Sequence, residues 1–318
     1  MGKKERTDMN TERRTPGTGN RTVLNLIILV LLSAVVISVS RFLGPGARHN
    51  TILVNTMKTV EMISRMRIDL LKSTDLGKGA VMAVTDEESR ALAEQSRKSA
   101  DAVQRDYEEL NVLIDAAKIG DEMTLLQEFN DAWNNFREID RELLSLAVKN
   151  TNIKAANLSY TAAAQDIGTF ERCLSQLMAV PKSDREQAQM ARLAYQAVTA
   201  AFMIYSLEAP HINEAEDKKM GELEKLMAAN EKKVRNALED VSPLTDQQGR
   251  TLLHDAAAAF SKFMEVHREV VRLSRMNTNV KSLELSLGRK RKVTAQCEEI
   301  LNALHDAVQN GRSSRATR

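Results

Sequence analysis

The chain has 318 residues, of which 13 are Gly and 5 Pro, and aromatics make up 4%. A β-sandwich or α/β enzyme of this length needs more turn, β-branched and aromatic residues, so both are excluded. Basic and acidic residues nearly balance, 45 against 43, so no nucleic-acid partner is indicated; the wealth of Ala, Leu, Met, Glu, Lys, Arg and Gln reads as long helices.

Residues 1–21 form a basic tail with Lys3, Lys4, Arg6, Arg13, Arg14 and Arg21. Val23 to Ser40 follows as a run of 18 uncharged residues. As a helix it spans roughly 27 Å, close to the ~30 Å hydrocarbon core of a bilayer. A transmembrane helix is expected over 22–43. The basic flank keeps the N-terminus in the cytoplasm and sends the rest outside, across a bacterial inner membrane. A cleaved signal peptide ending at Ser38-Val39-Ser40 is the competing reading, though the apolar run is long for one. No second spanning helix is expected, since the uncharged stretch Leu193–Leu207 has only 15 residues.

After Gly44-Pro45-Gly46 the pattern is helical. Thr85–Glu88, Ser183–Glu186 and Thr245–Gln248 fit capping boxes, Asn213–Glu216 is a weaker one, and Asp121 is a further cap. Leu125, Phe129, Ala132, Phe136, Ile139, Leu143 and Leu146 alternate steps of four and three. Leu252, Ala256, Ala259, Phe263, Val266, Val270 and Leu273 do the same. Such seams need a partner helix at a shallow angle.

The two segments are copies. A shift of 127 residues lays Leu125–Ser159 on Leu252–Ser286 without gaps, pairing Phe136 with Phe263 and Asn150-Thr151-Asn152 with Asn277-Thr278-Asn279. Each repeat reads as four helices, at 48–76, 86–118, 121–149 and 152–180, then 184–208, 213–240, 245–276 and 279–310. The expected fold is all-α: one transmembrane helix, then two tandem up-down four-helix bundles at 44–182 and 183–310, and a basic tail at 311–318.

This order, with the stretch LLQEFNDAWNNFREIDRELLSLAVKNTNIKAANLS and its copy, resembles the four-helix-bundle sensor domain of bacterial methyl-accepting chemotaxis receptors. The resemblance implies a periplasmic sensory or ligand-binding module of chemotaxis signal transduction. The second spanning helix, linker domain and methylated coiled coil of such receptors are not visible, so the resemblance implies either a module that works through a signalling protein partner or one derived from a truncated receptor. A related alternative is the larger helical bimodular sensor, which stacks two bundles along shared long helices; the regular duplication favours two separate bundles. A structural scaffold without a small-molecule ligand is the other functional reading.

No catalytic constellation, phosphate loop or metal spacing appears, so neither an enzyme nor a cofactor is expected. Arg67 lies on the stripe Leu53, Met57, Val60, Ser64, Arg67, Leu71, where a guanidinium needs an anionic partner. The resemblance makes Arg67, and more weakly Arg65, candidate ligand contacts at a dimer interface. A second stripe, Ile52, Thr56, Thr59, Ile63, Met66, Leu70, widens the apolar face and points to a homodimer through the first helix. Phe129, Trp133 and Phe136 read as core, and the charges of Gly288–Lys292 as a solvated face. The Asn-Thr-Asn copies read as turns between helices. Cys173 and Cys297 read as buried free thiols, with a disulfide as the alternative.

Overall fold

A computed structural model describes residues 47–117 and 120–316. The expected spanning segment at 22–43 and the basic tail 1–21 lie outside the described residues. Among the described residues there is no strand, and no helix is long and apolar enough to cross a membrane. The described residues from Thr56 onward belong to one compact unit.

Helix α1 is Ala47–Met82, α2 Asp86–Ala117 and α3 Gly120–Ala147. A rod then runs as α4, Thr151–Leu158, a π-helical turn at Ser159–Ala163, and α5, Ala164–Met178. The second repeat gives α6 at Asp184–Asn213, α7 at Asp217–Val241 and α8 at Gln247–Met276. A second rod follows as α9, Thr278–Leu285, a π-helical turn at Ser286–Lys290, and α10, Arg291–Ala316. The two π turns fall at equivalent places of the 127-residue repeat.

Local chemistry sets the helix ends. Ser183 accepts the Glu186 N–H, and Thr85 accepts that of Glu88, as capping boxes require. The α8 cap is Asp246, one residue after the expected Thr245, and its carboxylate accepts the Gly249 N–H at 2.8 Å. Asn213 is not a cap. Helix α6 carries Pro210 within its last turns and ends at Asn213. Asp121 lies inside α3, which starts at Gly120. The final helix runs to Ala316, so the stretch expected as a tail from 311 is mostly helical.

Two four-helix cores result, but not the two expected from the repeat. One core joins α1, α2 and α3 with α10, through residues such as Met66, Val103, Trp133 and Leu301. The other joins α5 with α6, α7 and α8, through residues such as Phe170, Ala197, Val234 and Phe263. Each repeat therefore sends its fourth helix into the bundle of the other. The division at 182/183 is corrected accordingly: the second bundle lies within the chain of the first. The reason lies at Asn150 and Asn277, which sit at φ 50° and 54°. This left-handed conformation suits Asn, and each residue is followed at once by the next helix. At this junction the chain carries its fourth helix into the neighbouring bundle. The two fourth helices share only part of their buried stripe: Leu174 and Leu177 fall on Leu301 and Leu304, whereas Ala163, Ile167 and Phe170 fall on Lys290, Thr294 and Cys297. The exchange is an internal counterpart of domain swapping.

Phe129, Trp133 and Phe136 are fully buried in the first core, as expected, and Trp133 stacks on both phenylalanines. Cys173 and Cys297 are both free. Burial pushes the Cys297 thiol up to about 12, so it acts as a small apolar side chain.

Candidate functional site at the crossing of the two bundles

The rods meet where each begins. The first N–H groups of a helix have no partner inside it and need caps. Asn150 and Asn277 precede α4 and α9 but make no side-chain cap to them. The caps come from the other repeat instead. The Thr151 N–H donates to Thr278 Oγ1 and the Thr278 N–H to Thr151 Oγ1, both at 3.2 Å, and the two hydroxyls lie 3.2 Å apart. One residue on, the Asn152 N–H donates to Asn279 Oδ1 at 3.1 Å and the Asn279 N–H to Asn152 Oδ1 at 3.2 Å. The side-chain amide of Asn152 reaches Asn277 Oδ1, and that of Asn279 reaches Asn150 Oδ1. Residue i pairs with i+127, and i+127 with i, as across a two-fold axis. The same asparagines hold the connections between the first two helices of each repeat. Asn150 donates to Thr85 O and Asp86 Oδ1, Asn152 to Ile212 O and Asn277 to Glu214 O. Lys154 and Asn150 hold the Asp86 carboxyl below its ordinary range.

Each bundle also buries charge. In the first, Lys290 closes the π turn and its Nζ lies 2.5 Å from Asp140 Oδ1, both nearly inaccessible. The ammonium also lies over the Phe136 ring, 5.2 Å from its centre. Burial pushes the Lys290 amine down, while Asp140 opposes that shift. Gly77 leaves the room, since a Cβ there would collide with Nζ. Lys290 thus departs from the solvated face expected for Gly288–Lys292: the π turn aims it into the core.

In the second bundle, Glu208 is fully buried and accepts from Ser159 Oγ at 2.5 Å and His267 Nδ1 at 2.8 Å. His267 is the repeat mate of Asp140, and Ser159 opens the other π turn. A third cluster surrounds buried His211. Its Nδ1 lies 2.8 Å from Ser274 Oγ and its Nε2 2.9 Å from Glu224 Oε1, which also accepts from Arg275 Nε.

The expected ligand contacts lie elsewhere. Arg67 is exposed and donates to Asn302 of α10 at 2.7 Å. The stripe that enters the core is Thr59, Ile63, Met66, Leu70; of the Arg67 stripe, Ser64, Arg67 and Leu71 are exposed, while Met57 is half-buried and Val60 packs at the edge of the first core. Arg65 makes a two-pronged contact with Asp106 of α2, through Nε at 3.1 Å and Nη2 at 3.0 Å. Neither arginine is among the groups bonded in the buried clusters. Sequence reasoning missed Lys290, Asp140, Glu208, His211 and His267. The available signal was their place on apolar faces: Asp140 follows Ile139 beside the α3 seam, and His267 follows Val266 beside the α8 seam. Among the described residues no group of side chains forms a metal site.

No protein-family model and no curated protein sequence matches this chain. Among solved structures, the crystal structure of the V. parahaemolyticus histidine kinase sensor TorS sensor domain is similar. It matches with a TM-score of 0.52 at 12% sequence identity, over 80% of this chain and 99% of that one. The likeness is one of fold: an all-helical architecture.

Proposed function

We propose that this chain is a membrane-anchored, extracytoplasmic helical sensory module, held by the segment at 22–43 and pairing with a second copy through α1. A stimulus felt in one bundle shifts helices and is passed to the other through the crossing. The observation that carries this reading is the reciprocal capping of α4 and α9. It makes each bundle's borrowed helix begin on the other repeat, so neither can move its fourth helix alone. Likeness in fold to a histidine kinase sensor domain supports the same reading. The buried Lys290–Asp140 and Glu208–His267 pairs weigh against a plain spacer. An apolar core would serve a spacer at lower cost, because buried ion pairs rarely add net stability.

Output then passes to a separate signalling protein or to the partner copy. The full-length chain in lipid nanodiscs, heated with organic acids, amino acids or polyamines, tests the sensory reading. A ligand that binds the folded state raises the melting temperature by mass action. At least one class is expected to do so in a saturable manner. A flat result across all three classes, with helix movement absent in spin-label distances, would favour the scaffold.

A further inference from the structure

Ser274 has one hydroxyl proton and two acceptors within reach. Its Oγ lies 2.8 Å from His211 Nδ1 and 2.9 Å from the His211 carbonyl oxygen. With a neutral ring, Nε2–H donates to Glu224, Nδ1 has a lone pair, and the Ser274 hydroxyl donates to it. With a protonated ring, Nδ1–H donates to Ser274 Oγ, which frees the hydroxyl for the carbonyl. Only the protonated ring satisfies all three contacts at once: Nδ1 to Ser274, Ser274 to the carbonyl, and Nε2 to Glu224.

That carbonyl belongs to the last turn of α6, where it also accepts the Glu214 N–H at a long 3.4 Å and keeps a second lone pair for Ser274. The next residues are those the crossing holds, Ile212 O by Asn152 and Glu214 O by Asn277. We propose that His211 is a proton-responsive latch: uptake of a proton at Nδ1 turns the Ser274 hydroxyl from the ring onto the His211 carbonyl and fastens the end of α6 gripped by the crossing asparagines. The input is the proton itself, so the inference stands apart from any small-molecule ligand.

The charged surroundings are balanced. Glu224 on α7 favours the cation, while Arg275 and His267 on α8 oppose it. Arg275 is itself held by Glu224 and Asp217, and His267 by Glu208 of α6. Helix α4 reaches this end of α6 through Asn152, an uncharged group. Burial is the largest influence and pushes the His211 imidazole below its ordinary value. The ring is therefore neutral near pH 7 and takes its proton only on acidification. A folded-state value below the unfolded one also means that global stability falls as pH drops through it.

The test is nuclear magnetic resonance of the full-length chain labelled with 13C,15N-histidine, titrated across roughly pH 4.5 to 8, either side of the ordinary histidine value of ~6.5. His211 is expected to hold its neutral-state proton on Nε2 and to titrate below the ordinary histidine value. Its carbonyl carbon is expected to move with the same midpoint, as are the side-chain amides of Asn152 and Asn277 in an asparagine-labelled sample. In Ser274→Ala the ring still titrates but the carbonyl no longer follows. The inference is overturned by a neutral ring protonated on Nδ1 or by a carbonyl that stays still while the ring titrates. It is equally overturned by asparagine amides that do not respond, or by an undiminished carbonyl response in Ser274→Ala. The unmodified chain decides the first three outcomes, so a variant that fails to fold leaves the test intact.

Discussion

Thr151 and Thr278, 127 residues apart and at equivalent places of a repeat, cap each other's helices: each hydroxyl accepts the other's backbone N–H at 3.2 Å. Both side chains are buried, so neither N–H has water as a substitute. Replacing either threonine with valine leaves one N–H unpaired and breaks the contact between the hydroxyls. Each single change is expected to cost about 1–3 kcal/mol in urea denaturation. The double change is expected to cost less than the sum by at least ~0.5 kcal/mol, because the two share one network. Additive losses would mean that the two ends are capped independently.

Lys290 and Asp140 are paired inside the first core. Lys290→Met leaves the Asp140 carboxylate buried without its cation, an expected loss of about 3–5 kcal/mol. Adding Asp140→Leu removes the stranded charge and is expected to restore much of that loss. If the double variant is as unstable as the single one, the π turn itself, rather than the charge, is what the pair maintains.

Acid dependence follows from Asp86. Its carboxyl is held below the ordinary range, first by Lys154 and then by Asn150. For a carboxyl depressed in the folded state, the stabilisation is complete above the unfolded value, ~3.9, and is lost as pH falls through the folded one. Asp86→Asn is expected to lower stability at neutral pH and to flatten the fall below about pH 4. Parallel acid limbs for the two proteins would show that Asp86 has no such linkage.

The outward face of α1 carries Ile68 and Leu71, 64% and 41% exposed, beside Arg67. Exposed apolar residues on a helix whose other stripe is already in a core are suited to a second neighbour. In membranes, Ile68→Cys is expected to crosslink between two full-length copies under mild oxidation. Tyr195→Cys, placed on an exposed position of α6, is the control. Crosslinking at Tyr195 but not at Ile68 would move the dimer interface away from α1.

Helix positions, seams and the repeat were legible in the sequence because each rests on local periodicity and caps. Phe129, Trp133 and Phe136 could be assigned to the core for the same reason. The exchange of fourth helices was not legible. Leu174 and Leu177 of α5 lie at positions equivalent to Leu301 and Leu304 of α10, so these leucines do not choose between the bundles. The backbone turns left-handed at Asn150 and Asn277 where each fourth helix begins, and Lys290 finds Asp140 only in the exchanged pairing, but two Asn-Thr-Asn copies read equally well as hairpin turns. Lys290 was hidden for a related reason. In a regular helix its charge reads as one of those of Arg289 and Arg291 spread around the axis, whereas Lys290, the last residue of the π turn, is buried in the core. The pairing of His211 with Glu224 and Ser274 joins three different helices and leaves no spacing to read.

The exchange itself is open to a single direct measurement. Arg67 on α1 and Asn302 on α10 are both exposed and hydrogen-bonded at 2.7 Å, although they belong to different repeats. Cysteines at these two positions, in a full-length chain with Cys173→Ala and Cys297→Ala, can be bridged with a short bismaleimide. Lys58 and Glu109, which form an ion pair between α1 and α2, provide a control pair that any arrangement of the first repeat brings together. The account predicts efficient bridging of both pairs within one chain, with a bridged product of monomer mass. Bridging of the control pair alone would contradict it and return α10 to the bundle of its own repeat.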